Sequence, residues 1–205
     1  MKAITLLFFT LAFALFVSLP LQADSEWQLI RQEDDIQVYS RHSPNTSIET
    51  VKGVVTISSS LDKLLKVFED IRKCPNWMYR CKSARTLQQI NVVERIDYIV
   101  TNLPWPTRDR DLIIHSLFQQ DRASKKVEIK FRSIPNKVAV KPGIVRIEKM
   151  NGTMRFVPQK NGNTQFIYEI NVDPRGRIPK WMVNAMAIDF PFYTLKKVRA
   201  LAEKK

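Results

Sequence analysis

The nine residues LPWPTRDRD, at Leu103–Asp111, lie between two long apolar runs and decide how the rest of the chain is interpreted. Pro104 and Pro106 remove two backbone donors and disfavour helical geometry in the residues before them. The runs on either side, Val92–Asn102 and Asp111–Gln120, are rich in β-branched residues. The stretch therefore predicts a rigid turn that joins two strands and presents alternating charges at the edge of a sheet.

Downstream of residue 84 the sequence predicts one strand after another. Asn151-Gly152 and Asn161-Gly162 are typical of two-residue hairpin turns. Short connections of this kind favour an antiparallel sheet. Alternation, or enrichment in β-branched and aromatic residues, places the strands at Arg85–Ile90, Val92–Asn102, Asp111–Gln120, Lys126–Ser133, Gly143–Met150, Thr153–Gln159 and Thr164–Val172.

The upstream part of the chain adds two strands and short helices. We expect a helix around Asp24–Gln32, strands at Ile36–His42 and Ile48–Ile57, and a turn at Ser43–Asn45 between those strands. Ser58–Ser60 supplies a cap for a helix whose leucines recur at helical spacing. The segment Cys74–Cys81 has no regular pattern, so we expect it to be irregular.

The last predicted element is a long helix that begins near Pro179, a residue suited to a first helical turn. Pro191 should kink this helix or mark a restart. A long sheet with one apolar face can curl around such a helix, which favours an α+β fold. The apolar stripe of the helix comprises Trp181, Ala185, Ile188, Phe192, Leu195, Val198 and Ala202.

These landmarks, in this order, resemble the START family, the StAR-related lipid-transfer domains. In that family a Pro-aromatic-Pro turn runs into Arg-Asp and an apolar strand, as Pro104–Asp111 does here. Other matches are Cys74-x2-Trp77, Met150-Asn151-Gly152-x3-Phe156-x-Pro158 and Asp173-Pro174-x-Gly176-x-Ile178-Pro179-x-Trp181. The resemblance covers about Trp27 to Leu201. It implies a helix-grip fold, in which a curved antiparallel sheet wraps around a long C-terminal helix, and a lipid carrier that is not an enzyme.

The first 23 residues have the pattern of a secretory signal peptide. A short positive start precedes the apolar run Ile4–Leu19, and Ala23 is the small residue that a signal peptidase needs. We therefore expect cleavage after Ala23 and a START-like lipid-binding domain over residues 24–205, exported to a periplasm or secreted. A retained membrane anchor is the alternative.

Two cysteines, Cys74 and Cys81, fit an oxidising compartment and predict a disulfide. Closing so short a loop would stabilise the fold by about 2–3 kcal/mol on the chain-entropy model. Two buried free thiols are the alternative. The two histidines, His42 and His115, are distant from the cysteines in sequence, so the chain is expected to hold no metal and no cofactor.

The formal charge of +13 is large for a chain of this size. On an exported protein such an excess indicates an anionic membrane surface, where each Lys or Arg contributes about 1 kcal/mol. The chain has no zinc-finger spacing and no RNA-binding aromatic signature, so nucleic acid is not an expected partner. We expect a monomer that meets membranes transiently.

Candidate ligand-binding residues come from inward positions of the sheet and the last helix, although alternation does not decide which strand face lines a cavity. The resemblance implies an acidic and a basic polar hook. Asp97 fits the acidic position, but Ser116 occupies the basic one, which favours a neutral or weakly polar head group. Arg146 could substitute from a different strand. The full set is Asp97, Ile99, Trp105, Arg110, Ile114, Ser116, Phe118, Phe131, Val138, Arg146, Trp181, Met182, Met186 and Phe190.

The entrance is expected beside Ile134–Pro142, IPNKVAVKP, where an apolar tip has basic flanks. This loop and the last helix would then admit one sterol, fatty acid or phospholipid into a cavity of about 300–1,000 Å³ or more. Two alternatives remain. One is a helix-grip enzyme, a cyclase or hydrolase of polyketides, for which His115 and Asp97 would be the acid–base pair. The other is an exported module that binds protein or polysaccharide.

Overall fold

A computed structural model describes residues 26–42 and 48–204. The predicted signal peptide and the predicted turn at Ser43–Asn45 lie outside these residues. Within the two described ranges, no helix combines the length and the hydropathy that a membrane span requires.

Ten strands and a long C-terminal helix form the part of the chain that the structure describes, which confirms the α+β helix-grip prediction. The strands are β1 Gln28–Glu33, β2 Ile36–Arg41, β3 Thr50–Ile57, β4 Cys81–Gln89, β5 Glu94–Thr101, β6 Arg110–Gln120, β7 Val127–Ser133, β8 Val145–Arg146, β9 Met150–Pro158 and β10 Thr164–Val172. The helices are α1 Leu61–Leu65, α2 Cys74–Trp77 and α3 Lys180–Ala202, with short 3-10 turns at Lys66–Phe68, Ile71–Lys73 and Pro135–Lys137. Ser60 caps α1 by accepting a hydrogen bond from the backbone of Lys63.

The sheet runs in the order β1-β2-β3-β10-β9-β7-β6-β5-β4, with antiparallel pairing throughout, and the short β8 pairs with β6 in parallel. Pairing of β3 with β10 joins the N-terminal strands β1–β3 to the last strand of the chain. This pairing places α3 across the concave face, where it contacts β2, β3 and β10.

The predicted N-terminal helix around Asp24–Gln32 is wrong, because the described part of that segment forms strand β1. Glu33 pairs with Ile36 across a two-residue turn. The turn residues Asp34 and Asp35 both have positive φ, 51° and 58°. Aspartate tolerates this conformation, and turns of this kind match the twist of paired strands. The hairpin of β1 and β2 therefore takes the place of the predicted helix.

The predicted turn at Asn151-Gly152 is also wrong, because both residues lie inside β9. A Cβ at Gly152 would lie 2.3 Å from the carbonyl oxygen of Glu169 and 2.5 Å from the Phe131 ring. Glycine is needed here for close approach between strands and not for a turn. The strand predicted at Gly143–Met150 is reduced to the two residues of β8. The turn at Asn161-Gly162 is confirmed, with Gly162 at φ 83°.

The two halves of α3 have different surroundings. In the second half, Phe192, Leu195, Val198 and Ala202 are buried, as the predicted stripe requires. A Cβ at Gly53 of β3 would lie 2.5 Å from Leu195 Cδ1, so glycine allows this half to lie close to the sheet. The helix continues through Pro191 without a restart.

An aromatic cluster fills the interior beside the second half of α3. Phe68 lies 5.0 Å from Trp77 and 5.3 Å from Phe156 between ring centroids, and Phe156 stacks on Phe166 at 4.8 Å. A disulfide between Cys74 and Cys81, as the sequence predicts, ties α2 to β4 beside this cluster. The filled region leaves the space beside the first half of α3 for a cavity.

Candidate functional site

A cavity of about 610 Å³ lies between the concave face of the sheet and the first half of α3. Its walls are mostly aliphatic and aromatic side chains from the sheet and from α3. The residue alternation of β5 and β6 turns Asp97, Ile99, Leu112 and Ile114 inward. The intervening residues, such as Ile113, form a separate cluster on the outer face.

Several predicted ligand-binding residues line this cavity. They come from β5, β6, β7 and α3, so the fold brings together positions that are far apart in sequence. They are Asp97, Ile99, Arg110, Ile114, Ser116, Phe131, Met186 and Phe190.

Other predicted residues do not line the cavity. Trp105 and Trp181 point to solvent and are 90% and 68% exposed. Met182 is buried outside the cavity lining, and Phe118 packs beside the main core farther along β6. Val138 packs on the outer cluster of the sheet.

Arg146 does not line the cavity, because it lies on the outer face of the sheet and is buried there. Its guanidinium donates to both carboxylate oxygens of Asp111, at 2.6 and 2.9 Å. Tyr98 donates to the same carboxylate at 2.9 Å. Burial and the Asp111 carboxylate raise the pKa of Tyr98 to about 12. The three side chains form a structural clamp at the end of the LPWPTRDRD stretch.

The loop 134–142 lies over this clamp and not beside the cavity. Arg146 donates to the carbonyl oxygens of Pro135, Val138 and Ala139. Lys137 donates to Gln88 of β4 at 2.9 Å. No residue of 134–142 lines the cavity. The expectation that this loop borders the entrance is therefore wrong, because Asp111 and Arg146 hold it on the opposite face of the sheet.

One end of the cavity carries an acidic and a basic side chain, which we name the aspartate pole (Arg95, Asp97 and Ser116). Asp97 is fully buried and accepts hydrogen bonds from Thr86 Oγ1 and Arg95 Nε, each at 2.8 Å. Arg95 also donates to the carbonyl oxygens of Phe68 and Glu69. Burial raises the pKa of Asp97, and the neighbouring Arg95 charge opposes that rise.

Arg95 is the polar residue that the sequence analysis missed. It faces Ser116 directly in the pairing of β5 with β6. A basic side chain therefore lies on the cavity wall beside Ser116, on the adjacent strand β5. Two-residue spacing between Arg95 and Asp97 places both on one strand face, and this signal was available in the sequence.

A further polar group on the cavity wall is Tyr168 of β10. Its side chain is 2% exposed, and its hydroxyl makes no hydrogen bond within residues 26–42 and 48–204. Burial raises the pKa of this hydroxyl, so it stays protonated at neutral pH. A buried hydroxyl of this kind can donate one hydrogen bond to a guest molecule.

His115 and Asp97 cannot form an acid–base pair. Register places His115 opposite Ile96 and Asp97 opposite Ile114, so the two side chains point to opposite faces. The imidazole of His115 lies 3.4 Å from the Glu94 carboxylate on the outer face.

A profile of the START domain family matches residues 10–203. The chain belongs to the START domain family. A protein of Pseudomonas aeruginosa, PA1579, is 27% identical to it over 180 residues, which are 88% of either chain.

Solved structures share the START fold. A STAR-related lipid transfer protein of Xanthomonas axonopodis has a TM-score of 0.80 and 25% identity, with 87% of this chain and 99% of that one aligned. Human STARD10 has a TM-score of 0.75 and 18% identity over 86% of this chain and 72% of that one. The Zhui aromatase/cyclase of Streptomyces has a TM-score of 0.56 and 14% identity over 76% of this chain and 94% of that one. The last two likenesses show the fold alone.

Membership of the START family and the lipid transfer protein that aligns with the chain support lipid binding in general. In this START domain the LPWPTRDRD landmark has two roles. Asp111 holds the outer clamp, while Leu103 and Arg110 line the cavity. The landmark therefore links the two faces of the sheet at one end of the cavity.

Proposed function

We propose that this START domain holds one lipid molecule in its cavity and carries it to or from membranes without changing it chemically. The observation that supports this proposal is a cavity of about 610 Å³ whose wall is mostly apolar. Each methylene buried there would contribute about 0.8 kcal/mol. The volume falls within the range of small-molecule sites, about 300–1,000 Å³. A sterol, a fatty acid and a phospholipid are the classes to be tested.

Native mass spectrometry of the protein purified from its own compartment tests the carrier proposal. We expect one co-purifying lipid per chain, with its mass unchanged after release. A protein that carries no lipid, and that binds none of a fatty acid, a sterol or a phospholipid when these are added, would contradict the proposal. Release of a chemically altered lipid would favour an enzyme instead.

We place the gate at residues 102–109 together with the first half of α3. Leu103 of this segment and Met186 of α3 both line the cavity. Trp105 and Trp181, in the same two elements, are exposed. Indole rings favour the interface between water and lipid, because one edge is polar and the ring is apolar. The basic character of the chain would attract this surface to anionic lipids.

Transfer of a fluorescent lipid between anionic vesicles tests the gate. Replacing both Trp105 and Trp181 by alanine should slow transfer about tenfold, on the expectation that each ring contributes to membrane contact. The control is the pair Lys137→Glu and Lys141→Glu in loop 134–142, which should retain at least half of the wild-type rate at high salt. A normal rate in the tryptophan variant would contradict this gate.

We also infer that the chain is exported and acts as a monomer. The Cys74–Cys81 disulfide supports an oxidising compartment. Amino-terminal sequencing of the protein from its host should find a chain that begins at Asp24. An intact amino terminus in the cytosol would contradict export. Light scattering tests the oligomeric state and should give the mass of one chain.

A further inference from the structure

The end of the cavity away from the aspartate pole carries two arginines, and we name it the arginine pole (Arg80, Thr101 and Arg110). All three residues line the cavity. Strand pairing brings them together, because Thr101 of β5 lies opposite both Cys81, the residue after Arg80, and Arg110 of β6. Arg110 is 3% exposed, so its guanidinium is almost completely removed from water.

The charge of Arg110 has no counter-ion in the described part of the chain. Its guanidinium donates to the carbonyl oxygens of Arg108, Pro174 and Arg175, the last two at 3.2 and 2.9 Å. Carbonyl oxygens satisfy N–H groups without cancelling a full charge. No carboxylate in residues 26–42 or 48–204 lies within 4.0 Å of it. Burial and the charge of Arg108 accordingly lower the pKa of Arg110.

The acids closest in sequence to Arg110 are already paired. Asp109 accepts from Lys82 at 2.8 Å, and Asp111 is held by Arg146 on the outer face. The other buried or half-buried arginines of these strands differ from Arg110 in this respect. Arg95 is paired with Asp97, and Arg146 with Asp111. A guanidinium has five N–H groups, of which the three carbonyls occupy three.

We propose that the arginine pole binds the anionic head group of the lipid, a carboxylate or a phosphate, with Arg110 as its counter-ion. This inference rests on the proposed lipid-carrier function. The free N–H groups of Arg110 can meet two oxygens of such a head group, and the Thr101 hydroxyl and Arg80 flank it. Thr101 lies six positions after Arg95 on β5, which is about 20 Å of strand. A long acyl chain would run along Ile99 and Ile114 toward the aspartate pole.

Binding of three probes tests the proposal. They are a long-chain fatty acid, the fatty alcohol of the same chain length and the corresponding alkyl phosphate, each titrated calorimetrically below its micellar concentration. Wild-type protein should bind the acid or the phosphate at least about tenfold more tightly than the alcohol. Whichever of the two charged probes binds more tightly identifies the head-group chemistry. Equal affinity for all three probes would overturn the inference and leave the carrier function intact.

An Arg110→Gln variant should lose the preference for charged probes and keep the affinity for the alcohol within about twofold. Alcohol binding also shows that the variant is folded. Arg132→Gln is the matched control, since Arg132 is exposed on the neighbouring strand β7 and does not line the cavity. It removes one unit of positive charge from the protein and should retain the preference. A preference retained by Arg110→Gln would overturn the inference.

A measurement on the wild-type protein avoids dependence on variant folding. Carbon-13 NMR of a carboxyl-labelled fatty acid reports the pKa of the bound carboxyl group. A nearby arginine lowers this pKa below the value in a neutral micelle, whereas apolar burial alone raises it. A raised value would overturn the inference. If none of the three probes binds, the inference is overturned, and the carrier function fails as well only if a sterol and a phospholipid also do not bind.

Discussion

Two aspartates separated by one residue in the LPWPTRDRD stretch have different environments. Asp111 is fully buried and paired with Arg146, which is 5% exposed. Asp109 pairs with Lys82, whose side chain is 62% exposed. In sequence the two residues look alike, because both follow an arginine near a strand. They differ because Asp111 belongs to β6 and lies within the sheet, whereas Asp109 precedes β6 and remains at the edge of the sheet.

Replacing Asp111 by asparagine should lower the free energy of unfolding by about 3–5 kcal/mol, because it leaves the Arg146 charge buried and unpaired. The same change at Asp109 should cost less than about 1 kcal/mol, since Lys82 is solvated. Denaturant unfolding of both variants measures the difference. Similar losses at the two positions would contradict the assignment of Asp111 to a buried clamp.

The raised pKa of the Asp97 carboxyl group predicts how the stability of the protein depends on pH. This pKa is raised above the ordinary value of 3.8, so the folded state binds this proton more tightly than the unfolded state. Its contribution to stability is therefore fully present below the unfolded pKa and is lost as pH rises through the raised pKa. Asp97→Asn does not titrate there. From about pH 4 upward, the free energy of unfolding of the wild type should therefore fall relative to that of the variant. A pH-independent difference would contradict the raised pKa.

At the scale of elements, α3 has one half that covers the cavity and one half that belongs to the core. Pro191 lies where they meet and removes one backbone hydrogen bond from the helix. Phe192 and Leu195 of the second half are completely buried. Gly53 on β3 allows that half to approach the sheet closely. The second half is therefore fixed by packing, while the first half has a cavity beneath it.

Amide hydrogen exchange should separate these halves. Residues 180–190 are expected to exchange about tenfold faster or more than residues 192–202, because fewer packed contacts oppose local opening. Bound lipid should slow the first half and leave the second unchanged. Mass spectrometry of peptides on either side of Pro191 measures both rates. Equal rates in the two halves of the free protein would contradict this division.

At the scale of the whole molecule, the main feature is a single sheet that closes around an incompletely filled interior. Phe68, Trp77, Phe156 and Phe166 fill one region, and about 610 Å³ remains beside the first half of α3. An unfilled apolar interior has fewer contacts than a close-packed core, so a guest of matching shape should stabilise the folded state.

A bound lipid should accordingly raise the stability of the whole domain. At a free ligand concentration about 100 times Kd, the free energy of unfolding should rise by about 2.7 kcal/mol. For a domain of this size that corresponds to roughly 2–4 °C in Tm for each kcal/mol. Differential scanning calorimetry with and without lipid measures the shift, with glycerol as the non-lipid control. An unchanged Tm at saturation would contradict binding to the folded cavity.

Much of this architecture was determined by the sequence alone. The alternation of β5, β6 and β10 and the spacing of Phe192, Leu195 and Val198 set the strand faces and the buried half of α3, because local periodicity encodes which side chains share a face. The order of START landmarks identified the fold, and the two cysteines identified the disulfide.

Only the tertiary structure decided which face of the sheet is the interior and what each charge meets there. Arg146 and loop 134–142 could not be assigned from the sequence, because their position depends on the parallel pairing of β8 with β6. The position of Arg95 opposite Ser116 depends on strand register. The carbonyl partners of Arg110, and the lack of a counter-ion for it within residues 26–42 and 48–204, depend on which parts of the chain fold against it. Electrostatic partners are chosen by distance in space, and local periodicity carries no information about contacts between remote parts of the chain.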